Sequence, residues 1–205
     1  MIHRRTISIL MVFLMAMALL PLFGGKVCMA ADYSGQLGAL IKNAETYSRQ
    51  GDYANALLIY NRAIKIAPAD PQLYYRRAAV YGRSGNYMSA INDLTQVINA
   101  DQRNSKLRFP AARKFRAECF ASAGYLQKAA EEYIALLRRN PRSKGAGKIW
   151  YYLAEVYAVM QRNDLAIEAT QRGIATGSHW VGKLKGLQRR IMTGEKISLH
   201  PPFSN

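Results

Sequence analysis

The stretch GDYANALLIYNRAIKIAP, residues 51–68, comes back along the chain, and that return limits the possible folds more than any other feature. Gly51-Asp52-Tyr53 returns as Gly85-Asn86-Tyr87 and as Gly124-Tyr125-Leu126. Ala56 returns as Ala90, Ala129 and Ala166, and Ala44 as Ala78, Ala117 and Ala154. Tyr47 returns as Tyr81, Phe120 and Tyr157. The columns shift together by 34, 39 and 37 residues, which describes a 34-residue unit with five residues inserted after its second copy and three after its third. A period of this size marks a stacked array.

Each copy reads as two amphipathic helices. Alanines stand inside their apolar stripes, where a core helix ordinarily carries larger side chains, so a second helix must approach closely there. Gly51, Gly85 and Gly124 fall at the end of a first helix, at the C′ place that needs a positive φ. Pro68 and Pro141 fall where a second helix must stop. One such pair cannot bury its apolar face alone, so the pairs must stack.

These columns resemble the tetratricopeptide repeat family. Copy one, 37–70, carries Leu40, Ala44, Tyr47, Gly51, Tyr53, Ala56, Tyr60, Ala63 and Pro68 of the family pattern. Copy two, 71–104, carries Tyr74, Ala78, Tyr81, Gly85, Tyr87, Ala90 and Leu94, with Gln102 in place of the proline. Copy three, 110–143, keeps Ala117, Phe120, Gly124, Leu126, Ala129, Tyr133 and Pro141. Copy four, 147–180, is degenerate: it keeps Trp150, Leu153, Ala154, Tyr157 and Ala166 but has Gln161 at the turn glycine and Thr170 at the aromatic. The resemblance implies an all-α, right-handed α-solenoid of helix-turn-helix repeats. Trp180, Leu184, Leu187 and Ile191 share one helical face, so 181–192 read as a capping helix closing that solenoid. The alternative for this segment is an interfacial helix lying on an anionic membrane. Residues 193–205, with Pro201-Pro202, read as an irregular tail.

The amino end is a separate object. Arg4 and Arg5 precede an apolar run from Ile7 to Phe23, Pro21, Gly24 and Gly25 break it, and Cys28-Met29-Ala30 offers a small-residue cleavage site before Ala31. That is the pattern of a signal peptide over 1–30. The run also approaches the length of a membrane span, so an uncleaved inner-membrane anchor facing the periplasm is the alternative. Either reading places 32–205 outside the cytoplasm, periplasmic or secreted. Gly25, Lys26 and Val27 do not make a lipobox for Cys28. Without 1–30, 26 basic residues stand against 13 acidic ones, a net charge of +13.

The sequence offers no catalytic or metal-binding constellation and implies no cofactor. His179 and His200 flank the last helix without acids or cysteines at ligand spacing. Cys119 shares a column with Thr46, Val80 and Val156, which makes it a packing residue, and Glu131-Glu132 reads as a surface pair. In the family, the first helices of successive repeats line a concave groove that binds a partner segment. By repeat position this groove holds Ile41, Glu45 and Arg49, then Gln72, Tyr75 and Arg83, then Lys114 and Glu118, then Lys148, Tyr151 and Glu155. Tyr75, Arg83 and Tyr151 are of the types that anchor interfaces. Members that grip a terminal carboxylate do so with Lys and, one turn later, Asn; Ile41 and Glu45 stand there instead.

Two basic clusters contain no acid: Arg103, Lys106, Arg108, Arg113, Lys114 and Arg116, and then Arg138, Arg139, Arg142, Lys144 and Lys148. Equivalent linkers should bring them side by side at one edge of the stack. The leading expectation is a non-enzymatic scaffold of the bacterial cell envelope whose groove takes a segment of another envelope protein, an acidic one being favoured by the charge. The alternative is a polyanion binder for lipopolysaccharide, anionic lipid or wall polymer. Nucleic acid suits the charge but not the export signal, and membrane association through the amino end is open.

Overall fold

The computed structural model describes residues 35–103, 109–139, 141, 143 and 145–202, with the side chains of 102 and 103 excepted. Residues 1–30, the expected signal peptide or membrane anchor, lie outside them. Among the described residues are nine helices: α1 (35–49), α2 (Tyr53–Ile66), α3 (Pro71–Arg83), α4 (Tyr87–Arg103), α5 (Ala112–Ser122), α6 (Leu126–Arg139), α7 (Ala146–Val159), α8 (Asn163–Ala175) and α9 (Val181–Met192). From α2 onward each helix packs on its neighbour in sequence, and α9 packs on both α8 and α7. The result is an all-α solenoid.

The alanines explain the spacing of the stack. Ala44, Ala56, Ala78, Ala90, Ala117, Ala129, Ala154 and Ala166 are all 0 % exposed. Ala44 and Ala56 share one apolar cluster with Tyr60 and Val80, so a larger side chain at either place has no free volume to enter. Cys119 is likewise fully buried, and burial beside Glu118 pushes its thiol up to about 12.

Four equivalent turns join the helices of each pair. Gly51, Gly85 and Gly124 take φ values of 82°, 80° and 84°. The next residue's N–H then reaches back to a carbonyl five residues earlier: Asp52 to Tyr47 (3.0 Å), Asn86 to Tyr81 (2.9 Å) and Tyr125 to Phe120 (2.8 Å). This arrangement satisfies the orphan carbonyls of the helix end. In the fourth turn Gln161 holds φ at 60° and Arg162 N–H meets Tyr157 O at 2.9 Å. The degenerate copy therefore keeps the turn without the glycine. Its α8 is complete, with Thr170 buried at the aromatic place and its hydroxyl donating to Ile167 O at 2.7 Å.

A polar bridge repeats between copies. Arg77 donates to both Asp93 oxygens (2.8 and 2.7 Å) and to Asn61 (2.6 Å), joining α2, α3 and α4. One copy later Arg116 bonds Glu132 and donates to Thr95 (3.0 Å), joining α4, α5 and α6. In the fourth copy the same three places hold Leu153, Ala169 and Ile134, and these line an apolar cleft of about 360 Å3 between α6, α7 and α8.

α9 buries Leu184, Leu187 and Ile191. Its apolar face is used inside the protein, which removes the surface a membrane-lying helix would insert. No helix among the described residues is long and apolar enough to cross a membrane. Beyond α9 the tail has no regular structure, yet Ile197 and Leu199 pack against the core and Pro202 is buried.

Candidate binding groove

α1 and α3 bring four of their six expected groove residues together, and Ile41 and Gln72 do not line that cleft. Glu45, Arg49, Tyr75 and Arg83 line one cleft of about 360 Å3 with Ser48, Tyr60 and Arg76. An ion pair between Arg76 and Glu45 crosses it. Arg83 Nη1 donates to Ser48 Oγ at 3.2 Å, and Arg49 Nε donates to the Glu45 carbonyl of its own helix at 3.4 Å. The guanidiniums of Arg49 and Arg83 stand on the exposed rim.

At the centre, the Tyr75 ring lies 5.2 Å from Phe109 and 5.8 Å from Phe115. Lys114 Nζ lies 4.6 Å over Phe115 and 3.1 Å from Glu118 Oε1. Glu118 is only 5 % exposed, and its Oε2 is buried without a hydrogen-bond partner among the described residues. Burial, and secondarily the Glu118 charge, push the Tyr75, Tyr133 and Tyr152 hydroxyls above the ordinary phenol value. Glu118 is thus a carboxylate on the floor, reached by the fields of α3, α5, α6 and α7.

At the far end, Lys148 Nζ sits 5.6 Å over Tyr152 and 5.5 Å over Trp180, and Lys183 Nζ sits 4.5 Å over Trp180. Burial, then Lys114, push the Lys148 ammonium below its ordinary pKa; Glu118 opposes and Lys183 adds to the shift. Three lysines from α5, α7 and α9 therefore share one electrostatic neighbourhood. Tyr151 is buried, its ring 5.3 Å from Trp180 and 5.6 Å from His200. Glu155 is 3 % exposed; it accepts from the His200 backbone N–H (3.4 Å), and its Oε1 lies 2.7 Å from His200 Nδ1. Burial pushes the Glu155 carboxyl above its ordinary value, and the His200 charge and hydrogen bonds from His200 and Tyr151 oppose that.

Models of two repeat families match this chain: the TPR repeat over 44–85, and the tetratricopeptide repeat over 75–144 and 126–179. The chain belongs to the tetratricopeptide repeat family. It is 34 % identical to human DnaJ homolog subfamily C member 3 over 91 residues, 44 % of this chain and 17 % of that protein. It is 26 % identical to rat serine/threonine-protein phosphatase 5 over 152 residues, 74 % of this chain and 28 % of that one. The chain thus spans less than a third of either relative. Among solved structures, a tetratricopeptide repeat protein from Parabacteroides merdae superposes with TM-score 0.61 at 17 % identity, covering 77 % of this chain and 60 % of that one. MamA superposes with TM-score 0.59 at 17 % identity, covering 77 % and 86 %. The first TPR of Spaghetti (RPAP3), bound to an HSP90 peptide, superposes with TM-score 0.51 at 20 % identity, covering 62 % and 95 %. At these identities the structures show the shared fold.

The tetratricopeptide stack corrects two readings of charge. Glu132 is no free surface acid: it pairs with Arg116 and lies 3.6 Å from Arg113. Arg116 is therefore paired with an acid from α6 that linear inspection of 103–116 could not include, and one net positive charge remains on Arg113 and Arg116 together. Arg138 and Arg139 are exposed in the last turn of α6, where the helix dipole favours them. Lys106, Arg108, Arg142 and Lys144, and the side chain of Arg103, lie outside the described residues, so the union of the two clusters at one edge is not described.

Sequence reasoning missed Arg76, Ser48, Trp180, Lys183 and His200 as groove residues. One signal was present. Glu45, Glu118 and Glu155 occupy a single repeat column, interrupted only by Ala79, so a row of carboxylates along the groove was readable. Nothing in the tail's composition tied His200 to a residue 45 positions earlier.

Proposed function

We propose that this protein is a non-enzymatic interaction scaffold whose groove, lined by α1, α3, α5 and α7, binds an extended segment of another protein of the bacterial cell envelope. The single observation that carries this is the meeting of repeat-equivalent side chains: Glu45, Arg49, Tyr75 and Arg83 line one cleft, and Lys114, Glu118 and Lys148 share one electrostatic neighbourhood. Family membership supports a protein partner, and one fold neighbour holds a peptide in its own repeat domain. The rim of Lys114, Lys148, Lys183, Arg49 and Arg83 favours acidic side chains on the bound segment. Glu45 bound to Arg76 puts a carboxylate where the carboxylate-gripping members need a donor. The protein acts outside the cytoplasm, released by cleavage before Ala31 or held by 1–30 at the inner membrane. A polyanion role is weaker, because Arg116 is already paired with Glu132.

The test is affinity capture from native envelope extract across a salt series, with the wild-type chain and with Tyr75→Ala and Lys148→Glu. The expected result is one captured protein that both substitutions weaken and that salt weakens only in part. Capture that collapses with a steep salt slope and moves to anionic vesicles would replace this reading with the polyanion one.

A further inference from the structure

The tail leaves α9 under a clamp. Arg190 Nε donates to Glu195 Oε1 (2.7 Å) and Nη2 donates to the Lys196 carbonyl (3.3 Å). The chain then runs to α7, where Glu155 takes both the His200 imidazole and the His200 backbone N–H. The imidazole also lies against Tyr151 and Tyr152, at 5.6 and 5.8 Å. Ile197 and Leu199, two residues apart, turn toward the core, while Lys196, Ser198 and Pro201 are exposed. This is how an extended peptide sits in a groove: alternate side chains inward, and a buried acceptor meeting main-chain and side-chain donors of one residue.

We propose that residues 195–202 are an intramolecular ligand of the groove, and that a partner segment binds at Glu155 in their place. The inference rests on the reading of the groove as a binding surface and says which chemistry that surface takes. A fitting segment is extended, with a donor for Glu155 and aliphatic residues one and three positions before it. A longer segment gains a second acceptor. Glu118 holds the same repeat place one copy earlier, and its buried Oε2 has no partner among the described residues. A segment that satisfies both carboxylates outcompetes the tail, which satisfies one.

The tether sets the strength. A segment held by a few residues of chain has an effective concentration on the order of 1 mM, so a docked tail implies an intrinsic dissociation constant below ~1 mM. Residues 195–202 lie outside the regular elements, which places this segment at the easily opened end of the structure.

The experiment uses the tail itself as probe. A synthetic peptide of 195–202, EKISLHPP, is titrated into the isotope-labelled chain ending at Gly194 and into the full chain, and amide shifts are followed by two-dimensional NMR. The expected result is saturable binding to the shortened chain with shifts centred on α7 and α9, and binding at least roughly twofold weaker to the full chain. Glu155→Gln in the shortened chain and His200→Ala in the peptide should each weaken binding by roughly tenfold, and together by little more, because they remove one charge-assisted contact. Equal binding to both chains, no binding to a shortened chain that keeps its helical spectrum, or indifference to Glu155→Gln would overturn the proposal. Should the shortened chain not fold, the full chain carrying Leu199→Asp and His200→Ala replaces it, with the same expectations. A failed peptide titration leaves groove capture of an envelope protein intact, so the two readings fail separately.

Discussion

Replacing Asp93 by alanine should destabilise the protein sharply, and replacing Arg77 by leucine in the same chain should undo most of that loss. The Asp93 side chain is 4 % exposed and that of Arg77 17 %. Removing the carboxylate leaves a mostly buried guanidinium with Asn61 as its remaining hydrogen-bond acceptor and the Tyr74 and Tyr81 rings at 5.5 and 5.7 Å. Breaking one partner of such a pair costs about 3–5 kcal/mol, and the surviving contacts place this case near 3. The fourth copy shows the alternative solution, with Leu153 and Ala169 at the same two places. The chain with both Arg77→Leu and Asp93→Ala reproduces that pair, removes the stranded charge and should lie within about 1 kcal/mol of wild type. For a folded unit of this size 1 kcal/mol moves the midpoint by about 2–4 °C, so the single variant should melt roughly 6–12 °C lower and the double variant only a few degrees lower. Urea unfolding followed by helical circular dichroism gives the free energies, with the slope checked for lost cooperativity between repeats. An Asp93→Ala chain as stable as wild type, or a double variant as unstable as the single one, would refute the buried-pair reasoning.

Gln161→Gly should stabilise by about 1 kcal/mol or less, because the left-handed backbone costs Gln about 1–2 kcal/mol while glycine adds back part of that as unfolded-chain entropy; a lowered melting temperature would contradict this. In a Cys28→Ser chain Cys119, with its thiol pushed up to about 12, should react with a disulfide reagent at pH 8 only as fast as the repeats open; rapid native labelling would show it accessible. Glu155 is held above its ordinary value of 4.5, so the folded state binds this proton more tightly than the unfolded one. Its contribution is fully present below about 4.5 and is lost as pH rises through the raised folded value; the wild-type minus Glu155→Gln stability difference should fall across that window, and a flat difference would contradict the assigned burial.

What was legible depended on repetition. The alanine columns and turn glycines recur, and each recurrence is a local demand of helix contact or backbone conformation that neighbouring residues express directly. The family resemblance, applied by repeat position, placed Glu45, Arg49, Tyr75 and Arg83 on the expected groove, and those residues meet in one cleft. Compensation was not legible. Arg116 and Glu132 stand in different helices, and reading 103–116 as one basic run counted Arg116 as free charge when a second element neutralises it. The Arg77–Asp93 bridge hid for the same reason. The tail was least legible, since its docking depends on one imidazole meeting one carboxylate after the whole solenoid has formed.

The proposed binding surface is the groove and not the face that carries Arg172. Photo-crosslinking residues placed singly at Tyr75, at Lys148 and at Arg172 in the full chain, expressed in its native cell, test this. Tyr75 and Lys148 lie along the groove, and Arg172 lines the apolar cleft beyond α7. Mass spectrometry of the adducts should find neighbouring positions of one extended segment of the same protein joined to the two groove sites, and nothing of that protein joined at 172. Adducts of that protein at 172 with none at the groove sites would contradict the claim.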